Sequence, residues 1–140
     1  MSRELVIFIG LPGSGKSTFY RQNFSSTHAL VSKDLMSPHN RRKDFHQREQ
    51  IIALFREGKS IVVDNTHPTR EARAALIALA REFDARVIAY HFTADVETCL
   101  QRNAEREGRA KVPNVAIYAI AKKMEPPSLE EGFDELNLVK

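Results

Sequence analysis

Apolar residues follow two rhythms along this chain. Residues 5–9, Leu-Val-Ile-Phe-Ile, are continuously apolar, as in a strand buried on both faces. Shorter strand-like runs recur at His28–Val31, Ser60–Asp64 and Arg86–Phe92, and residues 136–139 predict a short closing strand. Between these runs the period becomes helical. Residues 16–24 predict a helix, and residues 44–57 predict another that Gly58 stops. The next begins near Pro68 and Thr69 and sets Ala72, Ala75, Leu76, Leu79, Ala80 and Phe83 on one apolar stripe. Thr93 is placed to cap a further helix that turns Val96, Cys99 and Leu100 inward. Residues 114–124 predict the last helix, which Pro126 and Pro127 stop. Strands that alternate with helices predict the α/β class: a three-layer α/β/α sandwich around a parallel sheet of four to five strands. A ligand then sits beyond the carboxyl ends of the strands.

Length and charge narrow this picture. At 140 residues the chain is expected to be a single domain, 1–140, with a core large enough to need no disulfide. Its one cysteine, Cys99, has no partner for an internal disulfide and reads as a buried structural thiol. Together with the lack of a signal peptide or an apolar span, this predicts a soluble, cytoplasmic protein that does not engage a membrane. The net charge of +3 permits an anionic ligand without demanding one.

The chemistry starts at the end of the first strand. Gly10-Leu11-Pro12-Gly13-Ser14-Gly15-Lys16-Ser17 fits the phosphate-loop pattern G-x-x-x-x-G-K-[ST] at every fixed position. Phosphates are wrapped by backbone N–H groups, so bulky side chains must be absent, and the following helix points its positive end at them. Lys16 is positioned for the β- and γ-phosphates, Ser17 for Mg²⁺, and Thr18 extends the nucleotide contacts. No guanine signature of the [NT]KxD type is present, so the expected nucleotide is ATP.

Two carboxylates follow at strand ends. Asp34 closes the second strand and suits the role of a base on an attacking hydroxyl. Asp64 closes the third and suits either Mg²⁺ or the acceptor, with Asn65 beside it. Residues 101–111 are rich in arginine and predict a lid whose Arg102 and Arg106 approach the donor phosphates. A solvated helix face with Arg102 paired to Glu105 is the alternative. A second basic run, His39-Asn40-Arg41-Arg42-Lys43, can track acceptor phosphates or lie solvated. Phe45 beside it could stack on a base, but core packing is the expectation.

Taken together and in order, several blocks resemble the 5′-kinase domain of the polynucleotide kinases that heal broken DNA or RNA ends. They are residues 10–17, Lys33-Asp34, Val63-Asp64-Asn65-Thr66-His67-Pro68, Phe92-Thr93-Ala94, Arg102-Asn103-x-x-Arg106 and Glu131-Gly132-Phe133. The resemblance implies that Asp34 is the general base on the terminal 5′-hydroxyl, that Arg106 engages the donor phosphates with Arg102 as its neighbour, and that Asp64 is the strand-end acid. It implies ATP and Mg²⁺ as cofactors and a nucleic acid 5′ end as substrate. The chain departs from the family in having Lys33 before the base, where arginine is usual. It has Ser37 where some members carry an arginine for the acceptor phosphate, which leaves Arg41 or Arg42 for that contact. The 3′-phosphatase block common in the family is missing, so a separate phosphatase or ligase is the implied partner.

The leading expectation is an ATP-dependent polynucleotide 5′-hydroxyl kinase with Lys16, Asp34 and Arg106 as the catalytic set. A kinase of a small-molecule hydroxyl (nucleoside, sugar or antibiotic) would share the same loop, base and lid. A nucleotide-binding regulator without turnover is a third class.

Overall fold

The computed structural model of the chain describes residues 3–140. All five predicted strands form: β1 (Glu4–Ile9), β2 (His28–Val31), β3 (Ser60–Asp64), β4 (Arg86–Phe92) and β5 (Glu135–Val139). Every neighbour pairs in parallel, in the order β2-β3-β1-β4-β5. The most apolar strand takes the centre. Leu5, Val6, Ile7, Phe8 and Ile9 are all fully buried, which explains the continuous run, because only a strand covered on both faces excludes polar residues from alternate positions.

The two faces of β1 define the layers. Leu5, Ile7 and Ile9 pack with Ile51 and Phe55 of α2 (Lys43–Arg56) and with Leu76, Leu79 and Ala80 of α3 (Arg70–Glu82). Val6 and Phe8 pack with Phe19, Tyr20 and Phe24 on the side of α1 (Lys16–Asn23). That second face is an aromatic cluster, with the Phe8 ring 5.1 Å from Phe92 and 5.9 Å from Phe19. The last two helices, α4 (Val96–Ala104) and α5 (Asn114–Lys123), bury Cys99 and Ile117 against Leu11 and form the lid. The architecture is the expected three-layer α/β/α sandwich. No helix among the described residues is long and apolar enough to cross a membrane.

Three local expectations are corrected. Thr93 does not cap α4; its N–H and hydroxyl both donate to the Val139 carbonyl, which ties the end of β4 to β5. The cap is Asp95, whose carboxylate accepts the Thr98 N–H at 2.8 Å. The stripe of α3 is rotated from its apolar reading. Ala72 and Ala75 are exposed, and Arg73 and Ile77 are buried in their place. Arg73 can turn inward because Glu131 meets it there. Phe45 is not in the core: it lies on the surface under the Arg42 guanidinium, whose carbon is 4.2 Å from the ring centroid.

Candidate active site

Sheet register sets the rim on which the chemistry gathers. Phe8 pairs with Asp64, and Val31 pairs with Val63, so β1, β2 and β3 end side by side. The phosphate loop leaves β1 there. Its backbone bends through left-handed geometry at Gly13 (φ 84°) and Gly15 (φ 100°), and α1 begins immediately afterwards. Gly13 is also pressed against α4: a Cβ at that position would lie 2.7 Å from the Cys99 carbonyl oxygen. Both the bend and the contact exclude any other residue.

Lys16 is buried beneath this loop. Its ammonium donates to the carbonyls of Leu11 at 2.8 Å and Gly10 at 3.1 Å. Burial pulls its pKa from 10.5 down to about 8; Asp64 works against that fall and Arg106 adds to it. Ser17 places its hydroxyl 3.4 Å from the Asp64 carboxylate. Asp64 is itself nearly buried, and that desolvation raises its pKa, with Lys16 pulling it back down and Asp34 pushing it further up. Asp34 and Arg106 therefore both lie within electrostatic reach of Lys16 and Asp64. Ser17 and Asp64 touch beside the buried Lys16, and the charges of Asp34 and Arg106 are felt there.

Asp34 sits beyond the strand rather than at its last residue. A one-turn 3₁₀ segment, Lys33–Leu35, carries it, and Ser32 caps that turn by accepting the Asp34 N–H. The turn leaves the carboxylate exposed, where an incoming acceptor can meet it. A buried network holds it from below. The Asn65 side-chain oxygen accepts the Lys33 N–H at 3.0 Å, and its amide donates to Gln47 of α2 at 2.7 Å. His67 completes the network. Burial drives its pKa to about 4, so the ring is neutral, donating from Nδ1 to the Phe8 carbonyl at 2.7 Å and facing the Asn65 amide with Nε2 at 3.4 Å. Asn65 thus acts on Asp34 from beneath, while Arg41 and Arg42 stand exposed on the loop leading to α2.

The lid closes the other side. Arg102 reaches across to donate to the Gly13 carbonyl at 3.4 Å, and no Arg102–Glu105 ion pair forms among the described residues. Arg106 is half-buried and donates to the Ala110 carbonyl at 3.2 Å. Asn103, fully buried, staples the lid by exchanging two hydrogen bonds with the Val112 backbone at 2.7 and 3.0 Å. Gly13, Gly15, Thr18, Gln22, Arg102 and Arg106 border a cleft of about 410 Å³, large enough for part of a nucleotide.

Behind the site lies an ion pair that the apolar pattern concealed. Arg73 is completely buried and holds Glu131 through two parallel bonds of 2.9 and 3.1 Å, while its third nitrogen donates to the His67 carbonyl at 3.0 Å. This links the Glu-Gly-Phe block to the Asp-Asn-Thr-His-Pro loop. The signal was present in the sequence as an arginine inside an apolar stripe and a glutamate with no evident role.

The site fits ATP and Mg²⁺. The loop amides and Lys16 match phosphate oxygens, and Ser17 with Asp64 offers the hard oxygen donors that Mg²⁺ takes alongside phosphates and water. No cluster of three or more acidic, histidine or cysteine residues forms a metal cage among the described residues. A magnesium ion would accordingly be shared with the nucleotide, as is usual for phosphoryl transfer.

Comparison with known proteins agrees with this geometry. The family profile described as AAA domain matches residues 5–127. The chain belongs to that family. The chain is 30% identical, over 98% of its length, to the bifunctional polynucleotide phosphatase/kinase of Schizosaccharomyces pombe. It spans 33% of the length of that relative. In fold it superposes on a fungal RNA kinase with a TM-score of 0.73 at 16% identity, covering 100% of this chain and 38% of the other. A sugar kinase from Janibacter sp. HTCC2649 superposes with a TM-score of 0.72 at 18% identity, covering 99% and 85%. The resemblance to polynucleotide kinases drawn from the motifs therefore holds, and the chain is a P-loop kinase-type domain.

Protonation of Lys16 gives a direct test of the donor site. Phosphates attract the charged ammonium and raise its pKa, so nucleotide binding takes up a proton wherever the free protein has lost one. Affinity for ADP should be level below about pH 8 and fall by up to about tenfold per pH unit above it. Calorimetric titration at pH 8.5 in two buffers of different ionisation enthalpy should reveal the uptake. Identical heats in both buffers would contradict this assignment of Lys16.

Proposed function

We propose that this domain is an ATP-dependent polynucleotide kinase that phosphorylates the 5′-hydroxyl end of DNA or RNA. The observation that carries the choice of acceptor is the 30% identity to a polynucleotide phosphatase/kinase across nearly the whole chain. The site geometry supplies its chemistry. When bound, ATP with Mg²⁺ provides the transferable phosphoryl group. The amides of residues 13–18 and Lys16 hold the donor phosphates. Ser17 would hold the metal, with Asp64 beside it. Asp34 orients the 5′-hydroxyl and takes its proton as the oxygen attacks. Arg106, with Arg102 beside it, neutralises the charge that grows on the transferred group, and the lid excludes water. Arg41 and Arg42 attract the acceptor strand. A phosphatase or ligase activity would complete end healing, and the cytoplasm is the compartment in which the lone thiol is at ease.

The deciding experiment is transfer of labelled γ-phosphate to short 5′-hydroxyl oligonucleotides, DNA and RNA in parallel, with Mg²⁺. Labelling at the 5′ end is expected, and it should fall steeply with added salt as phosphate contacts are screened. A second reading keeps the same donor machinery with a small-molecule hydroxyl as acceptor. It is favoured by Ser37, which cannot grip a phosphate as an arginine can. Phosphorylation of a nucleoside or sugar, insensitive to salt, with oligonucleotides inert, would establish it instead.

A further inference from the structure

Large aromatic side chains are usually buried, yet 45% of Phe45 is open to solvent. It is not left loose. The Arg42 guanidinium lies over the ring at 4.2 Å from its centroid. The Arg42 N–H is held by the Asn40 side-chain oxygen at 2.8 Å, the Asn40 amide reaches His46 at 2.8 Å, and the Asn40 N–H is held by the Ser37 carbonyl at 3.0 Å. The stacked pair is therefore built into an ordered loop at the start of α2.

Its position ties it to the acceptor side of the site. Lys33, the residue before Asp34, forms an ion pair with Asp44, the neighbour of Phe45. One turn of α2 further on, Gln47 is joined through Asn65 to the Lys33 backbone. These bonds clamp the first turn of α2 against the turn that presents Asp34. Leu35, directly after Asp34, is 70% exposed and offers a second apolar surface there. Arg41 and Lys43 flank Arg42 in sequence and add positive charge to this loop.

An exposed ring under a guanidinium, flanked by cations and set beside a general base, matches one ligand chemistry: a planar base attached to a phosphate strand. We propose that the Arg42–Phe45 pair is a stacking platform for an unpaired nucleobase at the 5′ end of the acceptor, so that single-stranded or overhanging ends are the substrates. The proposal rests on the polynucleotide reading above. A base on this platform must leave its own helix, which favours ends that are already unpaired. Stacking is tolerant of sequence, because every base has a π-face. The platform also supplies acceptor affinity on the loop where Ser37 stands in place of an arginine.

The test crosses one substitution with one change in the substrate. Phe45→Ala is measured against a single-stranded 5′-hydroxyl oligonucleotide and against the same strand abasic at its first two nucleotides. Stacking worth about 1–3 kcal/mol corresponds to a rise of roughly 5- to 150-fold in acceptor KM for either change alone. The two changes together should cost little more than one, and Phe45→Trp should restore affinity for the intact strand. A 5′-terminal 2-aminopurine should lose fluorescence on binding the wild type and keep it with Phe45→Ala. Unchanged KM in Phe45→Ala, or losses that multiply independently, would overturn the platform while leaving 5′ labelling by the wild type intact. A wild type that labels no oligonucleotide would instead defeat the polynucleotide reading, and the platform with it.

Discussion

Asp34→Ala should slow phosphoryl transfer by at least about 100-fold while leaving ATP affinity unchanged. The carboxylate is exposed on a 3₁₀ turn and, among the described residues, makes no hydrogen bond to the phosphate loop, so its loss acts mainly on proton transfer and acceptor alignment. Lys16→Ala should fail differently. Lys16 lies buried under the loop and holds the Leu11 and Gly10 carbonyls, so its loss should weaken ATP binding as well as transfer, the latter again by at least about 100-fold. Single-turnover rates at saturating ATP, with separate nucleotide titrations, separate the two effects. Full activity in Asp34→Ala would remove the general base from the mechanism, and normal ATP affinity in Lys16→Ala would remove the lysine from the donor site.

Glu131→Ala should destabilise the fold by about 3–5 kcal/mol, because among the described residues it leaves the buried, charged Arg73 guanidinium with the His67 carbonyl as its one remaining partner. Thermal unfolding should begin on the order of 10–20 °C lower. Replacing both partners with apolar residues, Arg73→Met with Glu131→Leu, should cost less than Glu131→Ala, because no unpaired charge remains. The double variant also separates stability from catalysis. The third arginine bond pins the His67 carbonyl, so even a well-folded double variant should lose some activity through a looser Asp64–His67 loop. A melting temperature unmoved by Glu131→Ala would mean that water replaces the carboxylate and that the pair is not closed.

The sheet and the phosphate loop were legible because each obeys a local rule. Residues 5–9 are apolar without interruption since β1 is covered on both faces, and the glycines of the loop are fixed by backbone geometry and by contact with α4. Asp34 and Asp64 were legible through parallel topology, which places every strand end on one rim. What escaped depends on pairs distant in sequence. Arg73 lies 58 residues from Glu131, and Asn65 lies 32 from Lys33 and 18 from Gln47. A single position does not name its partner, so the apolar stripe was drawn without Arg73, and the bonds of Asn65 to Lys33 and Gln47 went unseen. Phe45 escaped for a related reason: apolar character alone does not distinguish a core residue from one shielded by a neighbouring guanidinium.

The central place of β1 also bears on how the chain is made. The strand is the first of the sheet to leave the ribosome, yet its two neighbours are β3 and β4, whose last residues are Asp64 and Phe92. At the usual pace of synthesis, about 5–20 residues per second, the stretch Leu-Val-Ile-Phe-Ile waits roughly 4–17 seconds for both partners. Throughout that time it is a bare, uncharged β-forming segment of the kind that aggregates. Gly10 and Pro12 follow it at once and resist extension of such a segment. The residues that shape the nucleotide loop in the finished protein thus guard the nascent chain before any loop exists.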